Sequence, residues 1–156
     1  MNTVQSKDGT RIAYTKAGDG PPLILVDGAA CYRKFGPSTR LAKPLAGRFT
    51  VVTYDRRGRG DSGDNQPYAA EREIEDLQAL IDHSGGSTHL FGVSSGAALA
   101  LETAARGTGV SKLVLYEAPF TDDASRAAAA SEYSALLTRL LATGRRGNAE
   151  IGRAHV

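Results

Sequence analysis

The chain has 156 residues with Lys+Arg 19 against Asp+Glu 17, a net charge of +2 that by itself implies neither a nucleic-acid nor a membrane partner. A hydrophobic share of 41% with 23% charged residues is enough for a buried core and excludes a disordered chain. The single cysteine, Cys31, excludes an internal disulfide framework, and no apolar run is long enough to serve as a signal core or a membrane span, so the reading is a soluble, cytoplasmic protein.

In chain order, Thr3 to Ser6 and Thr10 to Lys16 carry β-branched and aromatic residues on either side of Asp8-Gly9, which predicts a hairpin. After the turn at residues 17–22, Leu23-Ile24-Leu25-Val26 is a continuous apolar run, the pattern of a strand buried on both faces of a parallel sheet. It ends in Asp27-Gly28-Ala29-Ala30, a loop of small residues. A short helix is expected from Thr39 to Ala46, limited or kinked by Pro44. Phe49 to Tyr54 is the next strand, followed by a loop from Asp55 to Asp64. A helix is expected from about Ala69 to His83, with Ile74, Leu77, Leu80 and Ile81 on one face.

His89 to Val93 then leads into Gly92-Val93-Ser94-Ser95-Gly96, with small and apolar residues following at helical spacing to about Arg106. Strand, sharp turn and helix in that order give Gly-x-Ser-x-Gly its mechanical meaning. The serine occupies the apex of a turn strained for a residue with a Cβ, and the flanking glycines let strand and helix approach. The next N–H lies at a helix N-terminus, where a developing oxyanion is favoured. Val110 to Tyr116 is a further buried strand, and the alanine- and leucine-rich stretch from Asp122 to Thr143 reads as one helix. Strands alternating with helices imply a parallel sheet with right-handed crossovers. Ligands of such sheets bind beyond the carboxyl ends of the strands, where Asp27-Gly28, the 55–64 loop, Ser94 and Glu117 all fall.

With its N-terminal hairpin, "LILVDGAA", "FTVVTYDRRGRGDSGD", "HLFGVSSGAALAL" and "KLVLYEAPF", the chain resembles the α/β-hydrolase fold superfamily up to about Thr143. The resemblance implies an α/β fold, a mostly parallel sheet with helices on both faces. It implies Ser94 as nucleophile, with the backbone N–H groups of Ala29 and Ser95 as oxyanion hole. The family's loop usually reads His-Gly-x, and here it reads Asp27-Gly28-Ala29. A carboxylate there opposes a developing negative charge unless it is turned away or paired, with Arg56 or Arg57 as the expected partners. Asp27, Gly28 and Cys31 are expected at the substrate pocket, with Tyr32 and Phe35 as further candidates. Glu117 is a possible acid, weighed against a solvated or arginine-paired carboxylate.

The family's triad runs serine, acid, histidine, and the last two follow later strands. None of the three histidines, His83, His89 and His155, falls at a triad position, and His89 reads as a structural strand residue. The expectation is therefore residues 1–120 as the N-terminal part of the hydrolase core, 121–149 as the start of a helical lid, and the fold cut off before its last strands. The last six residues are what a common sequencing adapter would encode, so 150–156 are expected to be a non-native tail.

The function implied by the resemblance is a serine hydrolase of an ester or similar small acyl substrate, with no cofactor or metal, and inactive in the chain as given. A serine at the apex argues against aspartate-nucleophile dehalogenase or epoxide hydrolase chemistry. The alternatives are a non-catalytic or ligand-binding member, or a cofactor-free haloperoxidase-like or carbon–carbon bond hydrolase. The run from Gly58 to Gly63 spells Gly-x-Gly-x-x-Gly, but no helix opens on it, which argues against a dinucleotide site. Arg56, Arg57 and Arg59 are too few and too closely flanked by Asp55, Asp61 and Asp64 for a nucleic-acid patch. The oligomeric state is not legible.

Overall fold

In the computed structural model the described residues are 1–107 and 109–119, and they fall in a unit running from Met1 to Pro119. The expected helix at Asp122 to Thr143 and the tail at 150–156 lie outside the described residues. Strands β1 (Asn2–Gln5) and β2 (Arg11–Ala17) form the antiparallel hairpin expected from Asp8-Gly9. The turn is held by the Asp8 carboxylate accepting from the Thr10 N–H at 2.9 Å and by Gly9 at a φ of 85°, a conformation that favours glycine.

The remaining elements alternate: β3 (Pro22–Val26), α1 (Pro37–Leu45), β4 (Thr50–Tyr54), α2 (Ala70–His83), β5 (Thr88–Val93), α3 (Ser95–Ala105) and β6 (Val110–Tyr116). They build a six-stranded sheet in the order β1-β2-β4-β3-β5-β6. β2 pairs antiparallel with β4, whereas β4, β3, β5 and β6 run parallel.

Side-chain alternation along β3 shows why both faces are covered. Leu23 and Leu25 join Val51 against Leu41, Ala42 and Leu45 of α1. Ile24 and Val26 face the other way, into a larger cluster with Ile74, Leu77, Leu80 and Ile81 of α2 and Leu99 and Ala100 of α3. The helix stripe read from the sequence is thus the buried one. The chain leaves β3 towards β4 on one side, and β5 and β6 lie on the other, so the sheet has a switch point at the carboxyl ends of β3 and β5.

Helix α1 begins at Pro37 rather than at Thr39. Proline at the first helical position costs no hydrogen bond, and the N–H of Ser38 is capped from afar by Asp27. Pro44 sits in the last turn, where its missing donor forfeits a single intrahelical bond, and the helix ends at Leu45 with the Ala46 N–H donating to the Ala42 carbonyl. No helix among the described residues is long and apolar enough to cross a membrane.

Candidate active site

Ser94 links β5 to α3 with φ 52° and ψ −124°, outside the helix and strand regions and strained for any residue with a side chain. The strain is held by what surrounds it. The Ser94 N–H donates to the Tyr116 carbonyl of β6 at 3.0 Å, and its own carbonyl accepts from the Ala97 N–H at 2.8 Å. A Cβ on Gly92 would stand 2.6 Å from the Ala97 Cα, and one on Gly96 would stand 2.2 Å from the Val26 carbonyl oxygen. Both positions therefore demand glycine: the motif is the packing condition for a strand and a helix meeting at this angle. The first N–H groups of α3, beginning with Ser95, have no acceptor within the helix and carry the positive end of its dipole.

The loop after β3 lies against this serine. A Cβ on Gly28 would be 3.3 Å from the Ser94 Cβ and 3.8 Å from its Oγ. Two arginines hold the loop through its backbone: Arg56 Nη1 donates to the Asp27 carbonyl at 3.2 Å, and Arg59 Nη1 to the Gly28 carbonyl at 2.9 Å. Arg56 Nη1 also donates to Ser95 Oγ at 3.1 Å, so Ser95 contributes more than a small residue at a helix start.

The Asp27 side chain takes a partner the sequence did not suggest. Its Oδ1 accepts from the Ser38 N–H at 3.2 Å, at the N-terminus of α1, and neither Arg56 nor Arg57 pairs with its carboxylate. Burial pushes the Asp27 carboxyl above its usual range, and the Ser38 hydrogen bond offsets this only in part.

Both arginines are committed instead to α2. Arg56 makes a two-pronged bond to Glu73, at 2.5 and 2.7 Å, and Arg57 another to Asp76, at 2.8 and 2.7 Å. Arg57 Nη1 reaches Asp8 at 2.9 Å as well, tying the hairpin to the loop after β4. Asp55, fully buried, accepts from the Arg33 and Asp61 N–H groups at 2.7 and 2.9 Å and shapes that loop into a tight turn. These bonds absorb Arg56 and Arg57 into scaffolding. α2 opens at Ala70, well beyond Gly63, which agrees with setting the dinucleotide reading aside. Glu73 and Asp76 are the residues the sequence reading missed. Their signal is a pair of carboxylates beside the apolar stripe of α2, matched in number by Arg56-Arg57.

A cleft of about 680 Å³ opens at the carboxyl ends of β5 and β6, with Phe35, Pro37, Leu41, Phe91, Val93 and Tyr116 in its wall together with Lys34 and Arg40. Phe35 is where the sequence placed it. Tyr32, which pairs with Phe35 through a β-bridge, is not in that wall, and neither are Asp27, Gly28 or Cys31. Cys31 is half-buried, and desolvation raises its thiol above the ordinary range. Glu117 follows β6 at φ 47° and is exposed. His89 Nδ1 lies 2.7 Å from Ser111 Oγ, edge-on to Phe49, and His83 Nε2 lies 2.6 Å from the Tyr14 hydroxyl. Both have structural partners, and His155 is outside the described residues. No cluster of three or more metal-ligating side chains occurs among the described residues.

A sheet switch point, a serine in a strained strand-to-helix turn and a glycine loop packed on it define a hydrolase-type scaffold. The chain belongs to the Alpha/beta hydrolase family, whose profile matches residues 20–154. It is similar to the crystal structure of an alpha/beta hydrolase from Sphaerobacter thermophilus, with 49% identity and a TM-score of 0.82 over 94% of this chain and 56% of that one. A thermophilic esterase from Thermogutta terrifontis matches at 26% identity and a TM-score of 0.69, over 80% of this chain and 48% of that one. The N-formylmaleamate deformylase of Pseudomonas putida is 34% identical over 130 residues, 78% of this chain and 47% of the deformylase. The chain thus spans about half the length of these relatives.

Proposed function

We propose that the protein is a serine hydrolase acting on an ester or a similar small acyl substrate. The observation that carries this reading is Ser94 at φ 52°, held at the start of α3 by two glycines that admit no side chain. Strain of this kind costs on the order of 1–3 kcal/mol and persists where the surrounding structure enforces it, most often at a working residue. In the reading, Ser94 Oγ adds to the substrate carbonyl and the oxyanion rests on the N–H groups of Ala29 and Ser95. The leaving alcohol departs with a proton, and water releases the acyl group in a second addition. The apolar cleft beside Val93 and Tyr116 takes the acyl chain. An esterase and a deformylase among the relatives support acyl transfer to water. The single thiol, Cys31, fits a cytoplasmic location.

Addition by a serine hydroxyl near neutral pH depends on an adjacent base. Among the described residues both histidines, His83 and His89, are engaged elsewhere, and in this reading the 156-residue chain turns esters over poorly. Glu117, at the end of the strand that hydrogen-bonds Ser94, is the carboxylate to test as acid. The same histidine placement favours a second reading, a ligand-binding member without turnover. A fluorophosphonate probe separates the two. Slow labelling found at Ser94 by mass spectrometry and lost in Ser94→Ala supports the hydrolase, whereas no labelling at Ser94 supports the binding protein.

A further inference from the structure

Four arginines lie in or beside the loop after β4, and among the described residues three of them meet carboxylates. Arg33 pairs with Asp55 and Asp61, Arg56 with Glu73, and Arg57 with Asp76 and Asp8. Arg59 pairs with none. It is half-buried, and desolvation, reinforced by the charge of Arg56, lowers its pKa, so its placement is paid for without a counter-ion. Its hydrogen bond goes to the Gly28 carbonyl at 2.9 Å, in the loop that packs on Ser94.

The peptide unit between Gly28 and Ala29 is trans, so its C=O and N–H point in opposite directions. A guanidinium gripping the oxygen therefore fixes where the Ala29 N–H points. We propose that Arg59 is a positioning residue for oxyanion stabilisation: its bond to the Gly28 carbonyl aims the Ala29 N–H, and its unpaired charge offsets the nearby Asp27 carboxylate. Arg56 supports the preceding peptide through the Asp27 carbonyl, but its charge is already matched by Glu73. This inference rests on Ser94 being the nucleophile, and the test keeps the two apart.

The probe is an alkyl fluorophosphonate. Ser94 Oγ forms the bond to phosphorus, fluoride leaves with the P–F electron pair, and the serine proton passes to solvent. Wild type, Ser94→Ala, Arg59→Met and Arg59→Lys are compared for the saturating labelling rate and the half-saturating probe concentration. Arg59→Met is expected to lower the saturating rate at Ser94 at least about tenfold with the half-saturating concentration little changed, and Arg59→Lys to recover much of it. In the free protein with ¹⁵N-alanine, Arg59→Met is expected to shift or broaden the Ala29 amide signal while the Ala13 signal in β2 stays in place. Labelling that persists in Ser94→Ala overturns the nucleophile and leaves the Arg59 claim to the amide signal. Wild-type labelling rates in Arg59→Met, or an Ala29 signal that does not move, overturn the role of Arg59.

Discussion

At the scale of single residues, the site depends on atoms that are absent as much as on those present. Gly96→Ala would push a methyl group to 2.2 Å from the Val26 carbonyl, a backbone atom that cannot yield cheaply. The expected cost is about 3 kcal/mol or more in a urea unfolding titration. Gly47→Ala, whose Cβ meets nothing nearer than 3.8 Å, is expected to stay within about 0.5 kcal/mol. Asp27 gives a pH-dependent test. Burial raises its folded pKa above 3.8, so the folded state binds the proton more tightly and stability falls as pH rises from 3.8 through the folded pKa. Asn at this position keeps an acceptor for the Ser38 N–H and removes the charge. Asp27→Asn should therefore melt higher than wild type at pH 7, with the gap closing below pH 3.8; equal melting temperatures at pH 7 would contradict this. Ser94 was legible because its constraint is local: two glycines at fixed offsets between an apolar run and a helix. The partner of Asp27 was not, because Ser38 reaches it only after the chain has rounded a loop that no local pattern describes.

At the scale of elements, α2 is the brace of the site. Its apolar stripe seats it on the sheet, and Glu73 and Asp76 take hold of the arginines that shape the loop after β4. Burial raises the Glu73 carboxyl, but the hydrogen bonds and charge of Arg56 outweigh it and hold the pKa below 4.5. A depressed carboxylate contributes stability that is present above pH 4.5 and lost as pH falls through its folded pKa. Glu73→Gln leaves the Arg56 charge buried without a counter-ion and is expected to cost about 3 kcal/mol at pH 7. The difference from wild type should shrink as pH drops below 4.5, read from unfolding titrations at several pH values; a constant difference would sink the assignment. The helix and its apolar face could be read from a 3.6-residue period. Its buried carboxylates could not, since a charged residue beside an apolar stripe ordinarily faces water, and only the fold brings Arg56-Arg57 opposite.

For the molecule as a whole, the parallel sheet ends at β6 among the described residues, and this strand exposes Val114, Leu115 and Tyr116. Apolar side chains beside unpaired strand edges favour self-association. Concentration-dependent light scattering should fall in Val114→Lys, and an unchanged profile would show that the edge is otherwise protected. The hairpin and the parallel sheet that follows it were legible because alternation of strands and helices restricts the topology. The strand order β1-β2-β4-β3-β5-β6 was not, since pairing partners far apart in the chain leave no local pattern. His83 and His89 were placed from the sequence at a helix end and in a strand, and both have structural partners there.

The central proposal is that the described residues carry a nucleophile and an oxyanion loop with no base among them. It is tested most directly by supplying one. Losing a triad member costs several orders of magnitude in rate, and free imidazole reaching Ser94 would restore a part of it. The measurement is hydrolysis of a short-chain p-nitrophenyl ester by the 156-residue chain and by Ser94→Ala, across imidazole concentrations, with the protein-free rate subtracted. The account predicts equal, slow rates without imidazole and a rise with imidazole in the wild type alone. Fast Ser94-dependent turnover without imidazole, or no difference between the two proteins at any concentration, would contradict it.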